Sequence, residues 1–130
     1  MSSQQSTIVL IGRVLLSIIF IIAGFGKLTG FAGTVAYFGS IGLPVPTLVA
    51  ALVVVVELLG GIAILVGAFT RPVAYVLAAF CIATAFIAHF NFADQGQMNN
   101  FMKNFAMAGG FLVLAAFGPG ALSVDARRRV

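Results

Sequence analysis

Four stretches of this chain, residues 8–27, 48–67, 72–90 and 101–117, are apolar over lengths that reach or approach a bilayer crossing. A helix needs about 20 apolar residues to cross the hydrocarbon core, and it satisfies its backbone polar groups internally, as lipid demands. A chain of 130 residues with four such stretches has little left for anything else. The expected fold is all-α: one domain over residues 1–130, an integral membrane four-helix bundle in the lipid bilayer. Composition agrees, because only 8% of the residues are charged where a soluble domain carries about 25%. A mean hydropathy of +1.17 points the same way.

The connections refine this picture. "TRP" at residues 70–72 reads as a minimal turn, making the second and third spans an antiparallel hairpin. "NFADQGQMNN" at residues 91–100 reads as a short polar loop. Between the first two spans, "TGFAGTVAYFGSIGLPVP" carries Phe31, Val35 and Phe38 at helical spacing. That predicts a short interfacial or re-entrant helix, stopped before the second span by Pro44 and Pro46. No cation precedes the first apolar run and "AGFGKLTG" offers no small-x-small cleavage site, so the run is expected to be a retained helix.

The net charge of +4 is a matter of topology rather than of nucleic-acid binding, because the cations are not gathered into a binding patch along the chain. Arg127, Arg128 and Arg129 cluster at the C-terminus and the others stand singly near span boundaries. Four spans place both termini, Arg13 and Arg71 on one side and Lys27 and Lys103 on the other. By the positive-inside rule the termini are expected in the cytoplasm. The one cysteine, Cys81, excludes an internal disulfide and reads as a small buried hydrophobe.

Glu57 lies near the centre of the second span, where every neighbour is aliphatic or glycine. Gly60, Gly61 and Ile64 share its helical face, so it should point into the bundle. A charge at that depth costs at least about 2.5 kcal/mol, and it must be paired, protonated or beside a water-filled pocket. On the first helix Arg13, Ser17, Phe20, Gly24 and Lys27 form one stripe. Either cation could reach Glu57; depth favours Arg13 slightly, although Arg13 is also near enough to its helix end to snorkel. The glutamate is then either a register pin or a working group, and both readings stay open.

His89, Lys103 and Asn104, with Asn99, Asn100 and Lys27, are expected at the outer mouth of the bundle. They could simply meet water and headgroups, or they could serve a ligand or proton path, for which an imidazole is suited. One histidine and a distant glutamate make a poor ligand set, so no metal site is expected. Small residues that let helix backbones approach are Gly24, Gly60, Gly61 and the pairs Ala79–Ala83 and Ala106–Gly110. No phosphate loop, nucleophile elbow, dinucleotide fingerprint or haem ligand pair is visible. Any covalent chemistry would have to come from a bound cofactor or a partner.

In order along the chain stand "GRVLLSIIFIIAGFGKLTGF", "YFGSIGLPVP", "VELLGGIAILVG", "TRP", "FIAHF" and "KNFAMAGGFLVLAAFGPGALSVD". This series resembles the DoxX family of small four-helix bacterial inner-membrane proteins over nearly the whole chain. The resemblance marks Arg13, Gly24, Lys27, Pro44, Glu57, Gly60, Gly61 and His89, then Lys103, Asn104, Gly118, Gly120, Ser123 and Asp125. Members include the membrane subunit of a thiosulfate:quinone oxidoreductase, so the resemblance implies quinone- or thiol-linked redox work at the bacterial cytoplasmic membrane. It carries no general catalytic residue set. The expectation is a redox-associated membrane subunit that has no intrinsic cofactor, binds a quinone or similar amphipathic molecule near Glu57, and works with a partner oxidoreductase or as a homo-oligomer. A scaffold without ligand and a small oligomeric transporter are the alternatives.

Overall fold

The computed structural model describes residues 1–128, so Arg129 of the basic C-terminal cluster lies outside the described residues. Six helices follow one another: α1 Ser3–Thr29, α2 Phe31–Ser40, α3 Pro46–Val66, α4 Thr70–Ala88, α5 Gln95–Phe117 and the short α6 Val124–Arg127. Four of them, α1, α3, α4 and α5, are long and apolar enough to cross a membrane. The all-α four-span architecture and the short helix between the first two spans are therefore as expected.

Local chemistry sets the boundaries. Ser2 caps α1 in a reciprocal box, its hydroxyl accepting from the Gln5 amide while the Gln5 side chain accepts from the Ser2 amide. This start lies upstream of the apolar run, and α1 reaches 27 residues, or about 40 Å. Pro46 opens α3 at its first position, where no amide hydrogen is required. The expected turn at residues 70–72 is displaced. Gly67, in the left-handed region at φ +72°, ends α3, and Thr70, Arg71 and Pro72 form the first turn of α4. A proline within the first turn forfeits no intrahelical bond, so "TRP" starts a helix as readily as it could break one. Likewise Asp94 caps α5, whose first turns take up most of the expected polar loop.

The helices pack as two pairs: α1 lies along α3, and α4 along α5. The α3–α4 hairpin is joined by a tight turn, yet its two helices touch far less than either pair does. Close backbone approach explains the first pair. A Cβ on Gly24 would sit 2.8 Å from the Leu58 amide nitrogen, and one on Gly61 would sit 3.1 Å from that of Ile21. Gly60 faces Leu77 of α4, and Gly110 faces Leu16 of α1. Ala79, Ala83 and Ala106 are exposed instead, and α4 and α5 bury Ala74, Ala78, Ala85 and Ala108. Small spacing alone does not say which side of a helix is used.

The two pairs meet around Phe20, Ile64, Leu77, Phe111 and Leu114, with Phe20 and Phe111 edge to face at 5.4 Å. This core fills the half of the bundle nearer the chain termini. In the other half the pairs diverge, and α2 lies across their end against α3. Ile8, Ile11, Leu15, Ile22 and Phe25 of α1 are exposed, as side chains facing lipid would be.

Candidate functional site

A cavity of about 530 Å³ fills the space where the two helix pairs diverge. Phe20, Ala23 and Lys27 of α1, Val53 and Glu57 of α3, Phe80, Cys81 and Thr84 of α4, and Lys103, Asn104 and Met107 of α5 line it. Tyr37 and Phe38 of α2 cover it, with Ile41 and Leu43 of the following loop. The wall is mainly apolar with a few convergent polar groups, and its volume lies within the ordinary range of about 300–1,000 Å³ for small-molecule sites.

Glu57 is buried, with 7% of its surface exposed, as is Asn104 across the cavity. Its helix face, Ala50–Val54–Glu57–Gly61–Ile64, is buried throughout, which turns the carboxylate inward. Lys27 Nζ lies 2.9 Å from Glu57 Oε1. The two form a salt bridge, the one that Glu57 makes among the described residues. Lys27 keeps 30% of its side chain exposed.

Arg13 is not the partner that depth suggested. The α1–α3 crossing at Gly24 and Leu58 sets Glu57 level with the far part of α1. Arg13 then lies about 16 Å lower along the helix. Nor does it snorkel: it is 1% exposed, and three of its nitrogens donate to four backbone carbonyls. Nε and Nη2 cap the end of α3 at Ile64 and Leu65, while Nη1 holds the tail at Pro119 and Leu122. Arg71 does the same for α5, donating to the Ala115 and Ala116 carbonyls. Asp125 accepts from the Phe69 and Thr70 amides at the start of α4. Burial alone would raise the Asp125 pKa, but those amides and the Arg128 charge outweigh it and hold the carboxyl below its usual range.

Of the remaining polar residues, Thr84, His89, Asn100, Lys103 and Asn104 of α4 and α5 line the cavity. Asn104 Nδ2 donates to Thr84 Oγ1 at 3.0 Å, and that hydroxyl donates to the Phe80 carbonyl. His89 ends α4 and its Nδ1 lies 2.7 Å from Gln97 Oε1. Lys103 lines the cavity and has no acidic partner among the described residues. Asn99 instead faces outward and bonds to Gln95. Sequence reading passed over Thr84, Met107 and Tyr37. A threonine, a methionine and a tyrosine in apolar helices carry no distinguishing pattern until the facing helix is known. Cys81, read as a buried hydrophobe, is 1% exposed and also borders the cavity.

Comparison with known proteins places the chain among relatives. A family model described as DoxX matches residues 8–90. The chain is 46% identical over 125 residues to the inner membrane protein YqjF of Escherichia coli (strain K12), covering 96% of this chain and 95% of that protein. It is 45% identical over 130 residues to the inner membrane protein YphA of the same strain, covering 96% and 93%. A shorter match, 41% over 66 residues, covers 51% of this chain and 48% of CatD of Bacillus subtilis (strain 168), whose name carries a proposed oxidoreductase activity. No solved structure matches.

Proposed function

This chain belongs to the DoxX family, and from that premise we propose that it is a multi-pass inner-membrane protein that binds a quinone-type amphipathic ring in the cavity beside Glu57 and Lys27. On this reading it serves a partner oxidoreductase rather than carrying out chemistry alone. The observation that carries the proposal is the cavity itself: an apolar chamber within the spans, lined by Phe20 and Phe80, with a buried carboxylate on its wall. A pure scaffold would gain more from filling that space, since each unfilled methylene-sized gap costs packing energy. The partial match to CatD supports the redox association. A bound quinone would supply electron and proton acceptance. The chain's own groups would orient the ring, with Glu57 and Asn104 towards its polar edge and Phe20, Phe80 and Met107 against its face.

Purification in mild detergent, followed by mass spectrometry of the organic extract, tests this. A quinone-class molecule should accompany the native protein and fall away in Ala23→Phe, which fills the cavity from α1. A native protein that carries none, and takes up none when offered, would overturn the reading. The basic residues near the termini also support cytoplasmic termini. A cysteine introduced at Gln95 should then label from outside the cell and one at Arg128 should not; the reverse pattern would invert the orientation.

A further inference from the structure

Where α3 and α4 leave their shared turn they touch little, and a groove of about 350 Å³ opens between them on the surface of the bundle. Val56 and Gly60 of α3 and Val73, Val76 and Leu77 of α4 line it, with Phe69 at its mouth. Gly60 abuts Leu77 there and adds no side chain to fill the space. We propose that this groove seats one acyl chain of an anionic phospholipid, whose headgroup phosphate meets Arg128 at the end of the bundle that holds the chain termini.

Length and charge together select this occupant. Val56 stands ten residues before the end of α3, so the groove runs about 15 Å along the helix. One leaflet of a hydrocarbon core about 30 Å thick has that depth. A spanning helix of a second copy would need a seam along the whole of α3 and α4, and this groove ends halfway. At the mouth, Asp125 accepts from the Phe69 and Thr70 amides, and its own amide donates to the Gly67 carbonyl. That latch sets the short α6 against the α3–α4 turn. It brings the Arg128 guanidinium to 5.1 Å from the centre of the exposed Phe69 ring. Asp125 spends its oxygens on the two amides, and Arg128 has no acidic partner among the described residues. Arg127, exposed beside it, adds to the local positive charge. A planar guanidinium at the mouth of an apolar groove complements a phosphate joined to an alkyl chain, because its fork matches the phosphate oxygens. Basic clusters next to spanning helices attract anionic headgroups for the same reason.

The test is native mass spectrometry of the full chain released from mixed micelles. The micelles hold phosphatidylglycerol and phosphatidylcholine in equal amounts with identical acyl chains. A cation close to an anionic headgroup is worth about a fivefold preference, so the native chain should retain one phosphatidylglycerol about fivefold or more over phosphatidylcholine. Arg128→Gln should bring the two lipids within about twofold of each other. Val76 is exposed, so Val76→Phe can fill the groove without disturbing the core, and it should lower the retention of both lipids. Equal retention of the two lipids by the native chain overturns the inference, as does a preference that survives Arg128→Gln. Phosphatidylglycerol retention unchanged in Val76→Phe also overturns it, since the headgroup would then be meeting a basic surface without the groove. A lipid-free dimer of the native chain that Val76→Phe breaks would give the groove to a second copy and overturn it too.

Discussion

At the end of the bundle that holds the chain termini, Arg13 is 1% exposed and points three nitrogens at four backbone carbonyls. Towards the other end, Lys27 keeps 30% of its side chain exposed and meets one carboxylate beside a cavity of about 530 Å³. Both are basic residues on one stripe of α1. The first draws the end of α3 and the tail onto α1. The second meets a single carboxylate and keeps part of its side chain exposed. A basic group thus acts as a fastener where backbone carbonyls surround it, and borders a cavity where a single carboxylate meets it. The planar five-donor fork of arginine suits the first task, and the compact, flexible ammonium of lysine suits the second.

The largest effect should come from breaking the fastener. Arg13→Met would leave the Ile64, Leu65, Pro119 and Leu122 carbonyls without their donor. Each buried acceptor left unpaired costs about 1–3 kcal/mol, partly relieved where water enters, so a total loss of about 3 kcal/mol or more is expected. Arg13→Lys should recover only part, since one ammonium cannot serve so many acceptors in the fork's geometry. Unfolding in a mixed-micelle titration measures both. An Arg13→Met protein as stable as the native one would break the comparison at its strong end.

Next in size is Gly24→Ala, which tests whether the two regions are mechanically separate. The new methyl would sit 2.8 Å from the Leu58 amide nitrogen, and that contact is backbone that cannot rotate away. Overpacking of this kind costs about 1–3 kcal/mol. Because Gly24 is one turn from Lys27 and far from Arg13, the loss should come with altered ligand occupancy of the cavity. Loss of stability without any change in occupancy would show that the α1–α3 crossing does not position the Lys27–Glu57 pair.

How much of this was legible in the sequence follows from what each feature depends on. The spans and α2 could be read, because apolar length and spacing are properties of one segment at a time. So could the inward face of Glu57, from Gly60, Gly61 and Ile64. The choice between Arg13 and Lys27 could not, because it depends on where α1 crosses α3, and depth counted from span ends misses the unequal helix lengths. The partners of Arg13 were hidden for another reason. They are backbone carbonyls up to 109 positions away, and every residue has a carbonyl, so no side-chain pattern announces them. The cavity itself arises from the divergence of the two helix pairs, which no single segment encodes. His89, Lys103 and Asn104 could be placed at the same end of the bundle, but not joined to Glu57 around one space.

A smaller effect is expected at the Lys27–Glu57 pair. Lys27 can turn its ammonium to water when Glu57 becomes neutral, so Glu57→Gln should cost about 1 kcal/mol or less, as partly exposed ion pairs do. A double-mutant cycle with Lys27→Met should give a coupling of about 0.5–1 kcal/mol. A coupling as large as the Arg13 loss would make the pair a second fastener and erase the contrast between the two regions.

The smallest effect should be at Asp125, and it asks whether the closed end depends on pH. Asp125 accepts from the Phe69 and Thr70 amides, where the α4 dipole favours a negative charge. Its carboxyl is held below the usual range, with burial opposed by those amides and by Arg128. A group whose folded pKa is depressed stabilises the fold fully above its unfolded pKa, near 3.9. That contribution disappears as the pH falls through the lower folded value. The latch therefore holds throughout the neutral range and weakens only below about pH 4. Asp125→Asn keeps an acceptor but loses the charge, and should cost about 0.5 kcal/mol at neutral pH. That cost should fade as the medium is acidified through the native carboxyl's pKa, because the native latch is then neutral too. The check is the difference in unfolding midpoint between native and variant proteins, followed from pH 7 down to pH 3. A difference that grows on acidification would mean that Asp125 is more easily protonated when folded, and that the start of α4 is held by something other than its charge.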